Sequence, residues 1–120
     1  MRWVRVVNES RGTTLAEQAE VAGSFLARGV GLMGRRDWAR GDGLVIRPCN
    51  SVHCFFMRLV IDVAYVDRRD QICGLAPRLR PWRIGPIVPR SHYVVELPEG
   101  TLARSDCKLG DRLVLESVGG

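Results

Sequence analysis

A chain of 120 residues, 46% hydrophobic and 26% charged, is long enough for one hydrophobic core and too apolar for disorder. Its net charge of +5 rests on basic side chains scattered along the chain, with Lys108 the only lysine, which argues against a nucleic-acid surface. No apolar run approaches the ~18 residues of a spanning helix, and Arg2, Arg5, Asn8, Glu9 and Arg11 interrupt the N-terminus before a signal-peptide segment could form.

As it stands the chain is therefore read as cytoplasmic, with no membrane anchor; export stays open if the protein has been processed. The richest basic group, Arg78, Arg80, Arg83 and Arg90, is broken by Pro77, Pro81, Pro86 and Pro89, and has only Trp82 to stack a base. Cys49, Cys54, Cys73 and Cys107 form neither a C-x-x-C pair nor a zinc-ribbon spacing and read as buried thiols.

In chain order, Trp3 to Val7 alternates and is rich in β-branched residues, predicting a first strand closed by the turn residues Asn8 to Gly12. Leu15 to Ala22 fits neither period cleanly; the stop at Gly23 and Ser24 favours a second strand. Ser24 is a good helix cap, and Phe25, Leu26, Val30 and Met33 suggest a short helix weakened by Gly29 and Gly31. Leu44 to Ile46 and Val52 to Met57 are β-prone runs, and Val60 to Leu75 reads as an antiparallel hairpin turning at Asp67 to Asp70. Four prolines make residues 77–90 an irregular loop. His92 to Leu97 resumes strand character, Thr101 to Cys107 allows one or two helical turns with Thr101 near the cap, and Asp111 to Glu116 closes as a strand. The expected fold is a single mainly β domain over residues 1–120. It is a small antiparallel barrel or sandwich of about seven short strands with one or two short helices.

Several segments in order carry a family likeness: Gly31-Leu32-Met33-Gly34-Arg35, Gly41-Asp42-Gly43-Leu44, Ser51-Val52-His53-Cys54-Phe55-Phe56-Met57-Arg58, Ile61-Asp62-Val63-Ala64-Tyr65-Val66-Asp67, Val95-Glu96-Leu97-Pro98-Glu99-Gly100 and Gly110-Asp111-Arg112-Leu113. Over about residues 20–116 the chain resembles domain-of-unknown-function family 192. The resemblance implies a compact, mainly β domain of bacteria and archaea, often behind an export signal, with no settled activity. Where Phe56-Met57-Arg58-Leu59-Val60 stands, the commoner form is similar to Trp-Met-Lys-Asn-Thr, so this chain lacks an indole, a lysine and two polar groups there.

If Cys49 to Met57 is extended, Ser51, His53, Phe55 and Met57 share one face. A neutral imidazole beside thioether and thiol sulfur is the donor set that suits copper, but no ligand spacing repeats, and neither a metal nor a cofactor is expected. Cys54 should face away from His53, leaving Cys49 with His53, or either with His92, as nucleophile pairs. Asp62 interrupts an apolar strand and calls for a partner, Arg58 or a backbone amide; alternatively Asp62 and Glu96 face a shared cleft. The glycines of residues 31–34 lack the Lys-Ser/Thr end of a phosphate loop. Met33, Phe55, Met57 and Trp82 suit an adaptable apolar groove.

The expected function is a non-catalytic binding module whose groove, lined by Met33, Ser51, His53, Phe55, Met57, Asp62, Trp82 and Glu96, receives a small molecule or peptide segment. The alternative is a small enzyme using His53 with Asp62 or a cysteine; copper and nucleic-acid binding rank below both.

Overall fold

The alternating start of the chain becomes a strand, β1 (Arg2–Asn8), with Val4, Val6 and Asn8 buried and Trp3 and Arg5 outside. In this computed structural model, which describes residues 2–22, 41–47, 60–80 and 85–118, the chain continues through β2 (Thr13–Ala22), β3 (Asp42–Ile46), β4 (Ile61–Val66), β5 (Ile72–Leu79) and β6 (Tyr93–Pro98). A short helix, α1 (Thr101–Arg104), precedes β7 (Leu113–Ser117). The helix expected after Ser24 and the strand expected at Val52 to Met57 lie outside the described residues.

The seven strands form one sheet in the order β5-β4-β6-β3-β2-β1-β7. Every neighbouring pair is antiparallel except β2 and β3, which run parallel. Sheet twist carries the two outermost strands round towards each other. Gln71, just before β5, bridges Arg112, just before β7, while the Ile72 amide donates to the Asp111 carbonyl and the Leu113 amide to the Asp70 carbonyl, each at 2.8 Å. The product is a curled half-barrel, a single sheet rather than two stacked ones.

Register sorts the side chains into an inner and an outer face, because directly opposed residues lie on the same side and successive ones alternate. Val45, Ala64, Val66, Tyr93, Val95 and Leu97 point inwards, where they join Val4, Val6, Leu15, Ala19, Leu102 and Leu113. Leu44, Ile46, Ile61, Val63, Tyr65, Ala76 and Val94 make a second buried cluster on the outer side. Every residue of β4 is thus buried, which is why its sequence reads as a continuous apolar run rather than an alternation. The two glycines at the entry to β3 have a steric basis. Gly41 adopts φ +96, and a Cβ on Gly43 would sit 3.0 Å from the Ala16 Cβ and 3.2 Å from the Ala19 Cβ.

One local expectation is corrected. Strand β5 does not stop at Leu75 but runs through Pro77 to Leu79. Ile61 pairs with Leu79 and Val63 with Ala76, so Pro77 and Arg78 together oppose Asp62 in a bulge, with Arg78 at φ 54. An outermost, bulged strand tolerates a residue without an N–H. At α1 the cap position is Gly100, which has no side chain to give; the Thr101 hydroxyl donates backwards to the Pro98 carbonyl at 2.7 Å.

Candidate functional site

Strand β6 carries Glu96 into the middle of the outer face. Its cross-strand partners are Leu44 on β3 and Val63 on β4, and its neighbour two positions back on the same side is Val94. Glu96 is 4% exposed, and its carboxyl has no hydrogen-bond partner among the described residues. Burial alone pushes its pKa up to about 8 from an ordinary 4.5. At neutral pH this acid therefore keeps its proton and presents a hydroxyl donor within an apolar surface, a state associated with functional carboxyls more than with structural ones.

Asp62 answers to different constraints. It opposes Leu97, whereas Glu96 opposes Val63, so the two carboxyls project to opposite sides of the sheet. The expected cleft shared by Asp62 and Glu96 is corrected by this register. Asp62 faces inwards, 1% exposed, and accepts from the Arg78 amide of the β5 bulge at 3.0 Å and the Leu102 amide of α1 at 2.9 Å. It fills the capping role that Gly100 cannot, and satisfies an amide that the bulge removes from the ladder. The remaining groove candidates, Met33, Ser51, His53, Phe55, Met57 and Trp82, lie outside the described residues, as do Cys49, Cys54 and Arg58.

Two polar clusters escaped the sequence reading. Buried Asn8 donates to Asp111 Oδ2 at 2.9 Å and contacts Cys107 Sγ at 3.7 Å; Arg11 Nε reaches the same carboxylate at 3.0 Å, and the Lys108 amide donates to it at 2.9 Å. Burial by itself would raise the Asp111 pKa, but the hydrogen bonds from Arg11, Asn8 and Lys108 outweigh it and hold the group at about 2. Elsewhere the Tyr93 hydroxyl donates to Asp70 Oδ1 at 2.9 Å, its ionisation suppressed by burial and then by the Asp70 charge, while the Arg47 guanidinium lies 5.0 Å from the ring centroid. The available signals were faint: a strand-ending Asn, and an Asp in the Gly110-Asp111-Arg112-Leu113 motif.

The described thiols do not suit nucleophilic chemistry. Burial pushes both the Cys107 and the Cys73 pKa up, the reverse of what a reactive thiolate needs. Among the described residues no three His, Cys, Asp or Glu side chains are placed to hold a metal ion, and no helix is long and apolar enough to cross a membrane.

Fold and site together define a small, mainly β domain with an isolated acid on an apolar sheet face. The chain belongs to domain-of-unknown-function family 192, described as "Uncharacterized ACR", which it matches over residues 6–115. It is 31% identical over 113 residues to a UPF0127 protein of Pyrococcus horikoshii, covering 90% of this chain and 96% of that one. A UPF0127 protein of Pyrococcus furiosus is 31% identical over 115 residues, covering 90% and 95% of the two chains. Among solved structures, a protein of unknown function from Novosphingobium aromaticivorans superposes with a TM-score of 0.80 at 20% identity, over 93% of this chain and 83% of that one, a likeness of fold. A Sinorhizobium meliloti protein described as a candidate transcription regulator gives a TM-score of 0.79 at 28% identity, over 95% and 92% of the two chains.

Proposed function

We propose that the domain is a non-catalytic binding module whose outer sheet face, centred on Glu96, receives a small molecule or a peptide segment. The observation that carries this reading is the isolation of Glu96: a 4% exposed carboxyl between Leu44 and Val63 with no described partner. A buried polar group without a partner is costly to keep unless something else supplies the missing hydrogen bond. In this reading Glu96 is the floor of the groove. Asp62 belongs to the support, since it ties the β5 bulge to α1 from the opposite face.

Binding is favoured over catalysis because both Asp62 oxygens are taken by backbone amides and burial raises both described thiols. The Sinorhizobium neighbour's description raises contact with nucleic acid. Against it, Arg5, Arg11, Arg78 and Arg112 lie 3.2, 3.0, 3.7 and 3.7 Å from Glu116, Asp111, Glu99 and Glu9 respectively, so these four charges are locally balanced. A ligand-observed NMR screen of small fragments and capped tripeptides against the wild type and Glu96→Leu tests the reading. Hits that lose binding in the variant are expected; hits indifferent to the substitution would remove Glu96 from the site.

A further inference from the structure

Strand register gathers, at one end of the sheet, basic side chains that the sequence scatters. The β4–β5 turn carries Arg68 and Arg69, the turn ahead of β6 carries Arg90, and Arg47 directly follows β3. Because Val66 pairs with Tyr93 and Ile46 with Val94, the end of β4, the start of β6 and the end of β3 lie side by side. We infer that these arginines form an oxyanion site, centred on Arg47, that takes the phosphate group of a small molecule. The site is separate from Glu96, which points to the other face of the sheet.

Arg47 is held by a ring rather than by an acid. Continuing the β3 and β6 register by one residue sets it opposite Tyr93, and its guanidinium lies 5.0 Å from the ring centroid, a cation–π contact that orients it. The residue is half-buried, its Nε has no hydrogen-bond partner, and it joins no ion pair among the described residues. Arg68, Arg69 and Arg90 are exposed and join none either. By contrast Arg5, Arg11, Arg78, Lys108 and Arg112 each have a carboxylate beside them. The acids of this end are already engaged. Asp67 Oδ1 accepts from the amides of Arg69 and Gln71 at 2.8 and 3.0 Å, and Asp70 Oδ1 from the Tyr93 hydroxyl at 2.9 Å. A guanidinium partly withdrawn from water gains most from an anion that accepts in its plane. Like charges gathered at one edge favour a doubly charged phosphate over a carboxylate. A nucleic-acid strand suits the place poorly, since Tyr93 is 2% exposed and has no free face on which a base could stack.

The test uses the full chain labelled with ¹³C at the arginine guanidinium carbons, the Arg47 signal being assigned by its loss in Arg47→Gln. Sodium phosphate, sodium acetate and sodium chloride are titrated at pH 7.5 and matched ionic strength. Phosphate is expected to shift the Arg47 signal saturably, with acetate about fivefold weaker and chloride inert. Read from ³¹P line broadening, phosphate binding should weaken about tenfold in Arg47→Gln, the scale of one lost charge-assisted hydrogen bond. Arg90→Gln, which leaves the Tyr93 contact intact, should weaken it about threefold. Arg5→Gln, at a charge already matched by Glu116, should leave it unchanged. Shifts that follow ionic strength whichever salt is added would identify a merely solvated surface and overturn the site. Phosphate binding indifferent to Arg47→Gln would remove Arg47 from its centre, and acetate binding as tight as that of phosphate would overturn the ligand class.

Discussion

Glu96 ties the site to stability. Its folded pKa of about 8 lies above the ordinary value of 4.5, so between those limits the unfolded chain releases a proton that the folded chain retains. Stability is then fullest below about pH 4.5, falls by up to about 1.4 kcal/mol per pH unit through the window, and levels off above about pH 8. Denaturant unfolding from pH 5 to 9 is expected to show this slope in the wild type and a flatter profile in Glu96→Gln; parallel profiles would mean that Glu96 ionises freely in the fold. Asp111 works in the opposite sense. Held at about 2 against 3.8, it contributes above its unfolded pKa and loses that contribution as pH falls through about 2. That Asp62 needs a partner, a backbone amide among those expected, was legible from its charge inside an apolar run, with Glu96 read beside it. Which side each faces was not, because it is fixed by pairing across strands: Asp62 opposes Leu97, and Glu96 opposes Val63. The Asn8 and Asp111 contact spans 103 positions and has no local signature.

At the scale of elements, Asp62 is a joint between three of them: it stands on β4 and holds a β5 amide and an α1 amide. Asp62→Ala leaves the buried Leu102 amide and the part-buried Arg78 amide without an acceptor, a loss of about 2–4 kcal/mol. Urea unfolding is expected to show that loss, and hydrogen exchange at Leu102 and Arg78 to accelerate more than exchange in β1. A uniform change would show that Asp62 stabilises the sheet at large rather than this joint. Alternation located β1, the turn chemistry of Asp67 to Asp70 located the β4–β5 hairpin, and the run from His92 to Leu97 located β6. The continuation of β5 past Pro77 was hidden, because proline breaks a strand only where a neighbour needs its N–H, and β5 is the last strand on its side.

For the whole molecule, the sheet's two outermost strands meet at Gln71 and Arg112. The amides of Ile72, Gly110 and Leu113 carry that closure, each donating at 2.8 Å. If the half-barrel opens only on global unfolding, these amides should exchange as slowly as those of β4; rapid exchange confined to them would identify a seam that parts independently. A mainly β half-barrel was within reach of composition and strand count, whereas the parallel partnership of β2 with β3 was not, since side-chain periodicity is the same for either direction.

Strand β1 is hydrogen-bonded to β7 as well as to β2. During synthesis β1 leaves the ribosome long before β7 and must wait for it before its second edge is matched. Until residue 113 and its successors emerge, Val4 and Val6 lack the companions that enclose them, and β1 offers a ready template to any other extended nascent chain. Commitment to the native topology is thus deferred until β7 has emerged, the stage up to which a holding chaperone has most to protect.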